Sequence, residues 1–224
     1  MTALSAAEWE ALRLSALVGL GATVVVMPPA IVLGRLLAVT SFRGRAFVET
    51  ALLLPLVLPP VVTGYVLLVL FGRRGPLGPA LAALGMPVVF TWRACVLASA
   101  VMAFPLAYRA CRSAFEEVDP RLPAAARTLG ASRADAFFSV TLPLAKRGVL
   151  SAMVLAFARS VGEFGATIVL AGNIEGETRT LPIAVFQEIQ SKGAEGVWRL
   201  AALCVLLAAG ALIASEILAR RARR

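Results

Sequence analysis

Two side chains of opposite charge, Arg159 and Glu163, lie four residues apart inside a long apolar run of the sequence. On a helix this spacing places both side chains on one face, where they can form an ion pair. Either charge alone near the middle of a membrane would cost roughly 3 kcal/mol or more. Two roles are open for the pair: a structural ion pair that faces the interior of a helical bundle, or a border of a pathway for a polar solute.

The residues that surround the pair are small, which permits close helix approach or leaves room for a narrow polar gate. A nearly neutral ion pair suits the transient passage of an anion better than its tight binding. The residues of this candidate translocation path and gate are Arg159, Ser160, Gly162, Glu163, Gly165 and Thr167.

Catalytic chemistry finds little support in the sequence. None of the 224 residues is histidine, which removes the commonest general base and metal ligand. An integral-membrane enzyme that uses Glu163 is the alternative from another class, but Ser160 has no base to activate it. The cysteines Cys95, Cys111 and Cys204 lie far apart beside or within apolar runs, as packing residues do. We predict no catalytic residue, no metal site and no cofactor.

The composition of the chain is that of a membrane protein. Hydrophobic residues make up 59% of the sequence and charged residues only 16%, and the mean hydropathy is +0.85. In a soluble domain the apolar fraction is closer to half. The net charge of +9 comes from basic residues at the ends of apolar runs, a pattern that orients membrane proteins. We therefore predict an all-α polytopic membrane helical bundle and no nucleic-acid partner.

Five apolar runs are long enough to cross a membrane, since a transmembrane helix needs about 20 such residues. The predicted spans comprise residues 14–34, 50–72, 87–108, 148–172 and 197–219. Together they form a single membrane domain over residues 1–224. Prolines 55, 59 and 60 interrupt the second run, either as a kink in ordinary packing or as a break that lines a pore.

The distribution of basic residues predicts the orientation of the chain. Arg35, Arg43 and Arg45 separate the first two spans, and seven more basic residues lie between or beside the third and fourth. Four arginines follow the last span. Because short cytoplasmic loops are enriched in Lys and Arg, these three regions should be cytoplasmic. The amino terminus is then outside and the carboxyl terminus inside.

The loop 115–143, between the third and fourth spans, has the signals of two short helices. Asp119-Pro120 predicts the start of one helix, and Gly130 can adopt the left-handed conformation that ends it. Ser132 and Asp135 have the spacing of a capping box for the second helix. Leu129, Phe137 and Phe138 would then be available for docking. The alternative is an amphipathic loop on the membrane surface.

The same loop resembles the "EAA" loop of the permease subunits of ABC importers. The resemblance rests on the run 125–130, Ala-Ala-Arg-Thr-Leu-Gly, followed by Phe138 and by Leu142-Pro143. It implies that the loop forms a coupling helix in a groove of the ATPase subunit. Where the family usually has glutamate, this chain has Ala124, so no charged coupling contact is assigned to that position. The implied coupling residues are Ala125, Ala126, Arg127, Leu129, Gly130, Phe137, Phe138, Leu142 and Pro143.

A second resemblance concerns the transported anion. The runs 158–167, 171–174 and 178–182 resemble the molybdate permease branch of the sulfate/molybdate group. Sulfate permeases share the Gly-Glu-aromatic-Gly core and the Gly-Asn of these runs, so a sulfate or thiosulfate permease is the alternative. The resemblance implies a type I importer fold and transport of molybdate or tungstate through the cytoplasmic membrane of a bacterium or archaeon.

The resemblance also implies the partners of the chain. They are a second copy of the chain in a homodimer, two ATPase subunits on the cytoplasmic side, a soluble oxyanion-binding protein outside, and membrane lipid. The sequence contains no Gly-x-x-x-x-Gly-Lys-Ser/Thr loop, so ATP should be hydrolysed by a separate polypeptide. A passive channel or scaffold is a further alternative, but it would have no need of a loop that docks an ATPase.

Overall fold

The computed structural model describes residues 4–192 and 197–221, and every regular element in these ranges is helical. A five-residue π-helical segment, Phe137–Thr141, joins the seventh helix to the eighth. The α-helices are α1 (Ala6–Val39), α2 (Arg45–Val57), α3 (Pro60–Phe71), α4 (Gly78–Ala83), α5 (Trp92–Glu116), α6 (Arg121–Thr128), α7 (Arg133–Ala136), α8 (Leu142–Val161), α9 (Gly165–Ala171), α10 (Leu181–Lys192) and α11 (Val197–Arg221).

Helices α1, α5 and α8 form the centre of the bundle and pack against one another along their lengths. Small residues occupy the contacts, which lets the helix backbones approach closely, as is usual in membrane proteins. An added methyl group on Gly148 of α8, for example, would come within 2.2 Å of the Ala114 Cβ on α5. The fully buried alanines of this core include Ala22, Ala30, Ala103, Ala107, Ala152 and Ala156.

Helices α2 and α3 are two halves of one apolar run and meet at an angle of 109°. The break lies at Leu58 and Pro59, and Pro60 begins α3, where its missing N–H leaves no helical hydrogen bond unmade. The predicted second span, 50–72, is therefore bent sharply rather than continuous. Helix α3 packs against α9, and Gly64 allows this approach because a Cβ there would lie 2.7 Å from the Ala166 carbonyl oxygen.

Three helical segments of the described chain are long and apolar enough to cross a membrane, and the bent pair α2–α3 would make a fourth. The three are α1, α5 and the continuous helical segment 133–161, which consists of α7, the π-helical segment and α8. The apolar part of α11, Val197–Gly210, is shorter. This agrees in outline with the predicted bundle, but the boundaries differ.

The predicted fourth span, 148–172, is not one continuous helix. Helix α8 ends at Val161, and the separate short helix α9 starts at Gly165, so the run is interrupted at 162–164. The third span, predicted as 87–108, is a helix that begins five residues later and continues to Glu116. The apolar pattern identified the hydrophobic stretches but not the helix ends. Gly162 caps the end of helix α8, and the Glu163 carboxylate accepts from a backbone N–H of α9.

Helix α10 lies between the predicted fourth and fifth spans. It packs against α11 and α1, with Leu181 and Ile183 fully buried. The Ser15 hydroxyl of α1 accepts a hydrogen bond of 2.7 Å from the Leu181 N–H. Because α10 begins with this contact, the segment returns to the bundle and does not form a free loop.

Candidate functional site

The loop between α5 and α8 has the predicted helix–glycine–helix form. The last turn of α6 is closed by two hydrogen bonds, from Gly130 N–H to the Arg127 carbonyl and from Ala131 N–H to the Ala126 carbonyl, both 3.1 Å. This is the Schellman arrangement, which needs a left-handed residue just after the helix. Gly130 supplies it with φ of +95°. A side chain at this position would be strained even though the space around it is open.

The two predicted helix starts differ in their outcome. Ser132 and Asp135 form the predicted capping box: the Ser132 hydroxyl accepts from the Asp135 N–H, and the Asp135 carboxylate accepts from the Ser132 N–H. The start of α6 lies one residue later than predicted, at Arg121. Pro120 precedes the helix, and the Asp119 carboxylate accepts from the Arg121 N–H at 2.9 Å.

Three apolar side chains of the loop were predicted to be available for docking, and two of them are. Leu129 is 89% exposed at the end of α6, and Phe138 is 66% exposed on the π-helical segment. Phe137 is not available, because it is half-buried and packs against Phe115 of α5 with ring centroids 6.0 Å apart. Leu142 also packs partly against the core. Phe137 and Leu142 thus attach the loop to the bundle.

The remaining residues of the predicted coupling loop lie on or near its surface. Ala125 and Arg127 are exposed and Ala126 is half-buried on α6. Pro143 is exposed in the first turn of α8, where proline is compatible with the helix. The loop therefore exposes Leu129 and Phe138, while Phe137 and Leu142 attach it to the bundle.

Arg159 and Glu163 form the predicted ion pair, with Arg159 Nη1 2.7 Å from Glu163 Oε2. They do not lie on one helix, however, because Glu163 follows the end of α8. The other carboxylate oxygen, Oε1, accepts a hydrogen bond of 2.8 Å from the Ala166 N–H in the first turn of α9. One buried carboxylate thus joins the end of α8 to the start of α9 across the interruption.

The other residues of the candidate path are divided between the interior and the surface of the chain. Ser160 and Thr167 are buried, and neither hydroxyl has a hydrogen-bond partner within the described residues. Gly162 is exposed, and Arg159 is half-buried. Gly165 packs on α3, where an added Cβ would lie 2.8 Å from Pro60 Cβ. The six residues are therefore close in sequence but do not line one open surface of this chain.

A second ionic cluster, which the sequence reasoning missed, joins α2 to α5. Glu49 of α2 accepts from Arg45 at 2.6 Å and from Arg112 of α5 at 2.8 Å. Arg112 also contacts Glu116 at 2.7 Å. The spacing of four residues within each helix, Arg45 to Glu49 and Arg112 to Glu116, was the available signal. The sequence could not show that the two pairs meet.

No group of three or more His, Cys, Asp or Glu side chains that could hold a metal ion occurs in the ranges 4–192 and 197–221. Several charged groups pair with one another, as in the two ionic clusters. The described residues form a helical bundle, and the loop between α5 and α8 exposes Leu129 and Phe138.

Residues 30–224 match the family of inner membrane components of binding-protein-dependent transport systems. The chain belongs to this family. It is therefore a multi-pass permease of the inner membrane, as the composition and the loop motif predicted.

This permease is similar over nearly its whole length to molybdenum permeases. It is 50% identical over 218 residues to the molybdenum transport system permease protein ModB of Escherichia coli strain K12, which covers 96% of this chain and 95% of the relative. The corresponding Haemophilus influenzae protein is 46% identical over 219 residues, 97% of this chain and 96% of the relative. The sulfate transport system permease protein CysW of Synechocystis sp. is 37% identical over 185 residues, covering 83% and 67%.

Solved structures of ABC transporters share the fold of this permease. An inward-facing MetNI methionine transporter superimposes with a TM-score of 0.69 at 20% identity, over 97% of this chain and 94% of the other. A bacterial alginate transporter does so with a TM-score of 0.71 at 16% identity, over 97% and 80%. At these identities the likeness concerns the fold alone, and it agrees with the predicted type I importer architecture.

Proposed function

We propose that this permease carries molybdate across the cytoplasmic membrane as the membrane subunit of an ATP-driven importer. The observation that carries the proposal is the 50% identity to a molybdenum permease over 96% of the chain. Tungstate has nearly the same size and charge, so it should share the route. The more distant sulfate permease makes sulfate transport the second candidate.

The proposed assembly contains three further kinds of subunit contact. A second copy of the chain forms a homodimer, two ATPase subunits bind the loop end of the bundle, and an oxyanion-binding protein approaches the other end. The absence of a phosphate-binding loop from the sequence supports a separate ATPase. The exposed Leu129 and Phe138 supply the apolar contact by which the loop would bind it.

The continuous helical segment 133–161 is the proposed route from the ATPase to the membrane. With a rise of 1.5 Å per residue, its 29 residues span about 43 Å. Its first turn is connected to α6 through Gly130, and its last turn is joined to α9 through Glu163. A displacement of α6 by the ATPase would therefore reach the α8–α9 junction through one rigid element.

The proposed translocation path runs beside that junction. Gly162 is exposed and Arg159 and Gly165 are half-buried in the single chain, so a second copy can face these members of the predicted set. Ser160 and Thr167 lie inside the bundle, so their hydroxyl groups act on the path only if α8 and α9 move. The Arg159–Glu163 pair keeps the local charge near neutral during passage.

The identity of the anion is tested in cells that depend on this permease for uptake. We expect accumulation of radiolabelled molybdate that tungstate in tenfold excess suppresses and sulfate in the same excess leaves nearly unchanged. Uptake suppressed equally by sulfate would instead support the second candidate. The matched control is the same strain with the permease gene deleted, which measures entry by other routes.

The proposed orientation places the amino terminus outside and the carboxyl terminus in the cytoplasm. Gly176 lies close to Glu10 at the start of α1. Helix α6 forms a groove with Arg35 and Val39, which are near the other end of α1. The 34 residues of α1 separate these ends by about 50 Å. A reporter inserted at Gly176 should therefore be external and one fused after Arg224 cytoplasmic. Two reporters on the same side would contradict this topology.

A further inference from the structure

A groove of about 510 Å³ lies between the end of α1 and the coupling helix α6. Its two basic side chains come from different elements: Arg35 from α1 and Arg127 from α6. Val39 and Phe115 form an apolar wall of the groove on the side of the bundle. The groove therefore offers two guanidinium groups in a partly enclosed setting, between a membrane helix and the loop proposed to bind the ATPase.

Neither Arg35 nor Arg127 has an ion pair or a side-chain hydrogen bond within residues 4–192 and 197–221. The acidic residue at the groove, Glu116, is already paired with Arg112 at 2.7 Å and lies 3.9 Å from Arg45. The groove therefore retains positive charge that no neighbouring carboxylate neutralises. Guanidinium groups bind phosphate oxygens through paired hydrogen bonds.

The surface beside the groove is suited to acyl chains. Val32, Leu36 and Val39 of α1 are all exposed, and their spacing of four and three residues places them on one face of the helix. This apolar strip leads along α1 directly to the groove, which Val39 also lines. A molecule with a phosphate head and hydrocarbon chains would contact both the two arginines of the groove and the apolar strip of α1. Free phosphate would contact only the arginines.

We propose that the groove binds the phosphate of an anionic phospholipid, with Arg35 and Arg127 as its ligands. Basic pockets between membrane helices and adjoining segments are suited to such headgroups. Because Arg127 lies on α6, the lipid would contact the coupling helix as well as α1. The inference concerns lipid recognition and does not depend on which anion the permease transports.

The test measures phosphatidylglycerol bound to the purified full-length permease by native mass spectrometry, in neutral detergent with increasing lipid. We expect saturable binding that phosphatidylcholine does not reproduce. Arg35→Gln should raise the apparent dissociation constant about fivefold, as expected for the loss of one basic residue near an anionic headgroup. Arg127→Gln should do the same. Ala124→Glu should also weaken binding, because Ala124 lines the groove and the new carboxylate would pair with the arginines.

The matched control is Arg43→Gln, which removes one positive charge from the exposed segment between α1 and α2, outside the groove. Its lipid binding should equal that of the wild type. Equal weakening by Arg43→Gln and Arg35→Gln would overturn the site, since it would indicate a general charge effect. Competition by millimolar inorganic phosphate alone would overturn the assignment to lipid. Binding unchanged in Arg35→Gln and Arg127→Gln would also overturn it.

Discussion

Gly130→Val should reduce ATP-driven anion uptake by about tenfold or more while the permease still reaches the membrane in near-normal amount. The Gly130 backbone has φ of +95°, a conformation that costs an L-residue roughly 1–2 kcal/mol. That cost lowers the equilibrium constant between the native turn and its alternative conformations by about 5- to 30-fold. Because the turn fixes α6 relative to the helix that follows, the ATPase would lose its docking geometry. Uptake per ATP hydrolysed is the quantity to measure.

Gly85→Val is the matched control for Gly130→Val. Gly85 also has positive φ, +70°, and open space around it, but it lies in the connection between α4 and α5. The same substitution therefore introduces similar backbone strain outside the coupling loop. We expect Gly85→Val to keep uptake coupled to ATP hydrolysis. Normal uptake by Gly130→Val protein would contradict the coupling role of the loop.

Glu163→Ala should destabilise the permease by about 3 kcal/mol, the effect of removing one partner of a buried ion pair. The side chain is only 1% exposed, and it satisfies both Arg159 and the Ala166 N–H. Alanine would leave a guanidinium and a backbone donor without their acceptor at the α8–α9 junction. The measurements are the yield of monodisperse protein and the thermal unfolding midpoint in detergent.

The control for Glu163→Ala is Glu175→Ala. Glu175 pairs with Arg179 at 2.8 Å and the same spacing, but its side chain is 61% exposed. Exposed pairs contribute about 1 kcal/mol or less, so this variant should unfold close to the wild-type temperature. Glu163→Gln distinguishes the ion pair with Arg159 from the hydrogen bond with Ala166. Glutamine removes the negative charge, but its amide oxygen can still accept from the Ala166 N–H. A wild-type midpoint for Glu163→Ala would show that the junction does not depend on this carboxylate.

The helix–glycine–helix form of the loop between α5 and α8 could be predicted from the sequence because its signals are local. Gly130, Ser132 and Asp135 determine a helix end and a helix start within a few residues, and the structure has both. The burial of Phe137 was harder to predict, because its neighbour Phe138 is equally apolar. Only the packing of Phe137 against Phe115 distinguishes the two side chains. A π-helical turn at this point changes which face each phenylalanine presents.

The interruptions inside apolar runs could be predicted only in part. Pro59 and Pro60 indicated a break in the second run, and the chain bends there by 109°. Pro55 was named with them, but α2 continues through it, as α1 continues through Pro28 and Pro29. In the fourth run the helix ends before Glu163, whose carboxylate then caps α9. Hydropathy cannot distinguish such a break from a continuous span, because both are apolar.

We expect this chain to conduct the anion and a separate subunit to supply the energy through the loop. The most direct test is uptake of radiolabelled molybdate into proteoliposomes that contain the permease, its ATPase subunit and the oxyanion-binding protein. We predict uptake only when all three are present with ATP, and no ATP binding by the permease alone. Saturable ATP binding by the isolated permease, or equal uptake without ATP, would contradict the claim.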